Sequence, residues 1–259
     1  MVIVESKRGP FQVSEIYYPR GCEVRGLGRS LRSNQIIYVR QASQFYETAG
    51  PIVQYHPFRT SLVDLTRGKD ELFNDLSRTS RTQVRRVERL KDRIDIRRND
   101  GVDADFLAVY NEFVGLKRHS ERLSPGRLQQ LKPFLDIFVL YFEGRPLCVH
   151  AFISDKELKR AGIMFTASTR LTGKDAPIFI GSVNRWLHWY EMHVYKSEGM
   201  EIYDLGGTGS STAQKEAIAR FKLSLGGRQV IEHNYMIAKP LGFLAIKLFY
   251  ALRRLRSPG

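Results

Sequence analysis

Tyr203-Asp204-Leu205-Gly206-Gly207, followed one helix later by Ile218-Ala219-Arg220-Phe221-Lys222-Leu223-Ser224-Leu225-Gly226-Gly227, is the stretch on which the reading of this chain turns. The first five residues read as a strand that stops at paired glycines, which let a backbone approach a ligand and turn its N–H groups toward it. Asp204 then stands at the C-terminal edge of a sheet, where α/β proteins place ligands. Lys222, near the end of the next helix, brings positive charge to the same opening. The spacing alone reads at least as readily as a strand turn, a surface lysine and a helix closed by Gly226.

Outward from that stretch, the pattern predicts helices, then an antiparallel meander, then a helix and the strand at 201–205. A helix is expected over about 70–92, with Phe73, Leu76, Ser80, Val84 and Val87 on its core face. Arg78, Arg81, Arg85 and Arg89 step along another face, either as a phosphate-gripping stripe or as a solvated basic surface. Helices follow at about 103–118 and 124–132. Three strands, 137–142, 147–153 and 160–166, are joined by short turns, which fits an antiparallel meander. A long helix at 178–198 leads to the Asp204 strand, and a helix at 213–224 and a strand at 229–233 close the unit. Residues 1–66 read as short strands and turns. Tight turns between the central strands exclude the Rossmann order, and no helix-turn-helix or OB pattern is present.

The 259 residues, 42% of them hydrophobic, suffice for one large domain or two small ones with a sizeable core. No apolar run of about 18 residues appears, and Met1-Val2-Ile3-Val4-Glu5 lacks the features of a secretory signal. The expectation is a cytoplasmic protein. Two cysteines, Cys22 and Cys148, fit a reducing compartment and read as small buried apolar residues rather than nucleophiles. The six histidines show no metal-ligand spacing, so no metal is expected. A formal net charge of +14 points to polyanionic partners: nucleic acid, a phosphate-bearing cosubstrate, a nucleotide sugar or an anionic membrane.

The strand Tyr-Asp-Leu-Gly-Gly followed by Ile-x-x-Phe-Lys-x-x-x-Gly-Gly resembles the closing signature of the Fem-type, peptidoglycan-bridge-forming branch of the GNAT superfamily. Asn184-Arg185-Trp186-Leu187-His188-Trp189 resembles that branch's preceding helix, and the run from Leu65 through the arginine-rich helix resembles its start. Together these span about residues 60–237. The resemblance implies a GNAT-like α/β (α+β) fold, with a mixed, largely antiparallel sheet flanked by helices. It also implies transfer of an acyl or aminoacyl group onto an amine in cell-envelope precursors. Bridge-forming enzymes carry two complete GNAT-like units; here the expected layout is a truncated β-rich portion at 1–66 packed on the main domain, a catalytic domain at 67–238 and an amphipathic basic tail at 239–259. That layout favours a small donor, acyl-CoA, over aminoacyl-tRNA. The usual pyrophosphate loop is not evident; Arg25-Gly26-Leu27-Gly28-Arg29 resembles it faintly and too early in the chain.

The resemblance places Lys222 at the Phe-Lys position, as the group that stabilises an oxyanion or a donor phosphate. Asp204 is the first candidate for holding or deprotonating the acceptor amine, with a structural strand-end role equally open. His150, mid-strand, joins these as a candidate catalytic residue; an imidazole satisfied in the core is its commoner reading. Candidate binding residues are Arg81, Arg85, Asn184, His188, Trp189, Tyr203, Gly206, Gly207 and Phe221, with His119 and Glu121 in a loop that would line an acceptor pocket. Residues 240–256, amphipathic and ending in a basic cluster, suit either the headgroup layer of an anionic membrane, on the inner face of the cytoplasmic membrane, or a docked terminal helix. The expected partners are an acyl donor, an amino-sugar or amino-acid acceptor that is nucleotide- or lipid-linked, an anionic membrane surface and a second copy of the chain. A basic nucleic-acid-binding protein without catalysis is the competing class; no RNP or zinc motif supports it.

Overall fold

The structure is a computed structural model that describes residues 1–29, 31–117, 122–173, 176–208 and 213–256. In chain order the elements are β1 (Val2–Arg8), β2 (Phe11–Tyr17), α1 (Gly21–Arg25), β3 (Gln35–Ala42), β4 (Ile52–Asp64), α2 (Lys69–Asp75), α3 (Arg78–Glu88), β5 (Ile94–Arg98), α4 (Asp103–Lys117), α5 (Pro125–Leu131), β6 (Leu135–Phe142), β7 (Arg145–Asp155), β8 (Arg160–Ser168), α6 (Pro177–Ser197), β9 (Ile202–Gly207), α7 (Ala213–Leu223), β10 (Arg228–Ala238) and α8 (Pro240–Arg256). They fall into two compact units, one of Met1–Arg59 with Ile231–Gly259, the other of Thr60–Val230. His119 and Glu121 lie outside the described residues.

The larger unit carries the expected mixed, largely antiparallel sheet flanked by helices. Its strand order is β4-β9-β8-β7-β6-β5, and every neighbouring pair is antiparallel except β8 with β9. The meander β6-β7-β8 is the one that the short turns predict. β7 is buried along both faces from Leu147 to Ile153, as a central strand covered on each side must be. Apolar side chains of α3, α6 and the sheet share one core around Val84, Val87, Leu187, Tyr195, Phe152 and Tyr203; burying each large one stabilises the unit by about 1.5–3 kcal/mol.

The helix expected at 70–92 is two. α2 ends at Leu76, which adopts an extended conformation, and Ser77 restarts the chain as the cap of α3, its hydroxyl accepting from the Ser80 N–H at 3.1 Å. A serine N-cap is the break signal, and the unbroken apolar spacing across it concealed it. The parallel pairing of β8 with β9 is recorded only from Arg160↔Ile202 to Gly162↔Asp204. Both strands continue, to Ser168 and Gly207, so the ladder stops where the paired glycines begin.

In the smaller unit β1 pairs antiparallel with β2, β2 parallel with β3, and β3 antiparallel with β10. The terminal segment is the helix α8, whose Phe243, Ile246 and Phe249 pack with Phe11, Val13, Ile36 and Met236. Its other side leaves Leu241, Leu244 and Leu248 exposed at 77%, 62% and 61%. No described helix is long and apolar enough to cross a membrane.

Candidate functional site

Asn184, His188 and Glu191 recur at i, i+4 and i+7 along α6 and therefore share one face of that helix. Opposite it stand His150 of β7 and Tyr203 of β9. The five side chains form one hydrogen-bonded chain. His150 Nδ1 lies 2.9 Å from both Glu191 carboxylate oxygens, and its Nε2 lies 3.0 Å from Asn184 Oδ1. Tyr203 donates to Glu191 Oε2 at 2.7 Å, and His188 Nδ1 lies 2.7 Å from the Tyr203 hydroxyl. Both ring nitrogens of His150 thus have oxygen partners, Glu191 on one side and Asn184 on the other.

His150, His188, Glu191 and Tyr203 are all buried. Burial raises the Glu191 carboxyl above its ordinary range, with the His150 charge opposing, and raises the Tyr203 phenol well above its own. His188 is held well below the ordinary imidazole value, first by burial and then by the charges of His150, Lys222 and Arg185, so it is neutral. Ligand atoms of His150, His188 and Glu191 lie within 4.8 Å of one another, close enough for a cation. Each is already engaged within the chain of hydrogen bonds, which makes the trio self-sufficient without one.

A second cluster surrounds the end of β9. Lys222 Nζ donates to the Gly207 carbonyl at 2.7 Å, and burial pulls its ammonium down to about 8 against the raising effect of the Asp204 charge. Gly206 adopts φ +76°, and a Cβ there would stand 3.1 Å from Ile163 Cγ2 and 3.5 Å from Lys222 Nζ, so glycine is what lets the strand bend past the lysine. Phe221 packs beside His188, ring centroids 5.7 Å apart, with the Arg185 guanidinium 4.7 Å over its face. Arg185 and Lys117 are both disfavoured as cations by burial and then by the charge of Arg170. Half-buried cations that no described carboxylate offsets favour an incoming anion.

The expected open glycine N–H and open Asp204 carboxylate take another form. The Gly206 N–H donates to Asp204 Oδ1 at 2.8 Å, which also receives the Thr60 hydroxyl at 2.5 Å, while Arg160 donates to Oδ2 at 2.6 Å. Asp204 is thus the hub of a buried clamp joining β4, β8 and β9. Arg81 donates to the carbonyls of Asn74 and Leu76 at 2.7 and 2.8 Å and closes the end of α2, so its fork is directed at backbone. Arg85 and Trp189 lie elsewhere, in a groove between α3 and the far side of α6. The structure therefore gathers Asn184, His188, Tyr203, His150, Gly206, Gly207, Phe221 and Lys222, and separates Arg81, Arg85 and Trp189 from them. Cys148 is buried, and burial pushes its thiol up, out of nucleophilic range.

Sequence reasoning missed Glu191, Arg160 and Thr60. Glu191 had a signal: an acid three residues beyond His188, on the helix face that also carries Asn184. Thr60 and Arg160 reach Asp204 from 144 and 44 residues away, and nothing local announces that.

FemX superposes with a TM-score of 0.62 at 12% identity, over 93% of this chain and 85% of that one. The C-terminal domain of a protein described as a lysylphosphatidylglycerol synthetase of Agrobacterium fabrum gives 0.59 at 16%, over 95% and 83%. The fold is FemX-like. L-PGS of Bacillus licheniformis shares it, at 0.55 and 16%, over 92% and 81%. The sequence itself matches no protein family and no curated protein. In the Fem-like fold of this chain, the arrested β8-β9 ladder, the glycine bend and Lys222 meet at one place.

Proposed function

We propose that this protein transfers an acyl group from an activated donor, in the first instance an acyl-CoA, to an amino group. The acceptor is a sugar or amino acid of a cell-envelope glycan or of its nucleotide- or lipid-linked precursor. The observation that carries the reading is Lys222: a half-buried ammonium with its pKa near 8, set at the bend where two parallel strands cease to pair.

In this reading the donor carbonyl lies in the opening past Gly162 and Asp204. The acceptor nitrogen attacks the carbonyl carbon, whose π electrons move to oxygen, and Lys222 stabilises that oxyanion. Collapse breaks the carbon–sulfur bond. Lys222 passes a proton to the departing thiolate, whose affinity for it is close to that of a cysteine thiol, about 8.5. The neutral lysine then takes the proton that the new amide nitrogen sheds, which restores the ammonium. Asn184, oriented by His150, Glu191 and Tyr203, positions the acceptor; Phe221 and Arg185 frame the donor; Gly206 and Gly207 shape the opening. Asp204 acts by holding the bend rather than by touching substrate.

Aminoacyl-tRNA is the second donor, favoured by the likeness to FemX and L-PGS. There the leaving group is a ribose hydroxyl, which needs the Lys222 proton more than a thiolate does. A lipid-linked acceptor suits the exposed leucines of α8 and an anionic membrane surface. The test is transfer of labelled acyl or aminoacyl groups to amino-sugar and amino-acid acceptors. Product from acyl-CoA supports the first donor; product only from charged tRNA, abolished by ribonuclease, supports the second. No product from either, with salt-sensitive nucleic-acid binding instead, overturns the transferase reading.

A further inference from the structure

α6 has a second working face. Trp186, Trp189, Tyr190 and His193 recur at i, i+3, i+4 and i+7 on the side opposite Asn184, His188 and Glu191. With α2 and α3 they line a groove of about 560 Å³, within the size range of pockets for small ligands. Its walls are aromatic: Phe73 meets Trp189 edge to face at 5.3 Å, and Trp186 stacks on Tyr190 at 5.8 Å with rings 25° apart. Tyr190 is exposed, and the His193 Nε2 atom is buried without a hydrogen-bond partner among the described residues.

The rim is basic. Lys69, Arg85 and Lys91 stand against Asp70 and Glu88, and Glu88 is engaged by the Trp186 indole N–H at 2.7 Å. Arg85 lies 5.0 Å over the Phe73 ring and forms no ion pair with a described residue. Neither do Arg78, Arg86 and Arg89 on the exposed side of α3, where like charges three or four residues apart repel weakly and an anion relieves them. An aromatic groove with an exposed tyrosine ring and a cationic lip matches a planar base that carries phosphate: the ring accepts the base face and arginine grips the phosphate.

We propose that the α3–α6 groove binds an adenosine phosphate, separately from the Lys222 site. The base lies against the exposed Tyr190 ring, the phosphate meets Arg85 and Lys91, and His193 and Asp70 offer polar contacts to the base edge and ribose. The choice of adenine rests on the transferase reading, because acyl-CoA and the 3′ end of aminoacyl-tRNA both carry an adenosine phosphate. The groove takes the nucleotide end of the donor, or holds it before transfer.

The two tryptophans of the chain both line this groove, so intrinsic tryptophan fluorescence reads its occupancy without any turnover. The experiment titrates purified protein with adenosine 3′,5′-bisphosphate and with the trinucleotide CCA, with adenosine and inorganic phosphate as partial probes. Saturable quenching is expected with one or both nucleotides, and at least tenfold weaker binding with adenosine or phosphate alone. Arg85→Ala, a surface change, is expected to weaken nucleotide binding about tenfold, and Lys91→Ala likewise; Lys222→Ala leaves quenching intact. Preference for the bisphosphate identifies the CoA end as the source, and preference for CCA the RNA end. No saturable quenching, or quenching by adenosine equal to that by the nucleotides and unchanged by Arg85→Ala, overturns the proposal even where acyl transfer is observed. Quenching without transfer from any donor leaves the groove standing and removes the transferase reading.

Discussion

The Lys222 ammonium donates to the carbonyl oxygen of Gly207 at 2.7 Å, and desolvation there lowers its pKa to about 8. An ammonium so placed is charged at pH 7 and gives up its proton within one unit above it. Activity that uses the charged form declines above about pH 8, by a factor approaching ten per unit. Lys222→Arg keeps a permanent charge, so whatever activity it retains loses that alkaline limb. The pH profiles of kcat/KM for the two proteins check this.

Half-burying Lys222 with no carboxylate in hydrogen-bond contact costs stability, because the fold disfavours its charged form. Lys222→Met removes that cost and keeps the packing volume. The expected result is a Tm higher by about 2–4 °C, roughly 1 kcal/mol for a chain of this size, together with lost transfer. Differential scanning calorimetry at pH 7 measures it.

His188 makes the larger unit sensitive to acid. Its folded pKa lies well below the value of 6.5 that the unfolded imidazole has. The unfolded chain therefore binds the proton first, and the stability present above pH 6.5 is lost as pH falls. The raised Glu191 carboxyl works the other way, favouring the fold at low pH and losing that contribution as pH rises beyond 4.5. Comparing urea midpoints of the wild type and His188→Leu at pH 7 and pH 5 isolates the histidine: the variant should lose less stability between the two pH values than the wild type.

The Asp204 clamp holds three strands through groups that are themselves buried. Asp204→Ala removes the buried carboxylate that accepts from Thr60, Gly206 and Arg160 and is expected to cost about 3–5 kcal/mol. Thr60→Val removes one hydrogen bond and costs about 1 kcal/mol. Gly227→Ala places a methyl against Ser61 Oγ, 3.0 Å from Leu205 Cδ1 and 3.1 Å from the Lys222 carbonyl, costing about 1–3 kcal/mol. Guanidinium unfolding curves rank the three.

Much of the larger unit was legible because its signals are local. Turn residues at Glu143-Gly144 and a polar break at Lys156–Lys159 announce the meander, and helical spacing announces α6. Paired glycines mark the end of β9. What stayed hidden needs distant partners. Asp204 looked like a site residue because a strand-end acid beside glycines has that appearance, yet Thr60 and Arg160 close over it. Arg81 looked like part of a phosphate stripe until the fold brought the carbonyls of α2 within its reach. β5 carries two isoleucines among charged residues, too weak an alternation to separate from the helix before it. The division at Arg59 and Val230 was not visible either, since β4 and β10 run through it without a linker composition.

The exposed leucines of α8 carry a further expectation. If the acceptor is lipid-linked, cosedimentation with vesicles of anionic phospholipid should fall at least fivefold when Leu241, Leu244 and Leu248 are replaced by glutamate. The other faces of the helix stay docked, so the variant should keep its Tm.

Lys222-dependent transfer is tested most directly by single-turnover mass spectrometry at pH 7. Enzyme in excess is mixed with labelled acyl-CoA or aminoacyl-tRNA and an amino-sugar acceptor, for wild type and Lys222→Ala. The expected result is a product heavier by the acyl group in the wild type, formed about 10²–10³ times more slowly by the variant. Equal rates in the two proteins would contradict the role given to Lys222, and no product from any donor would contradict the transferase itself.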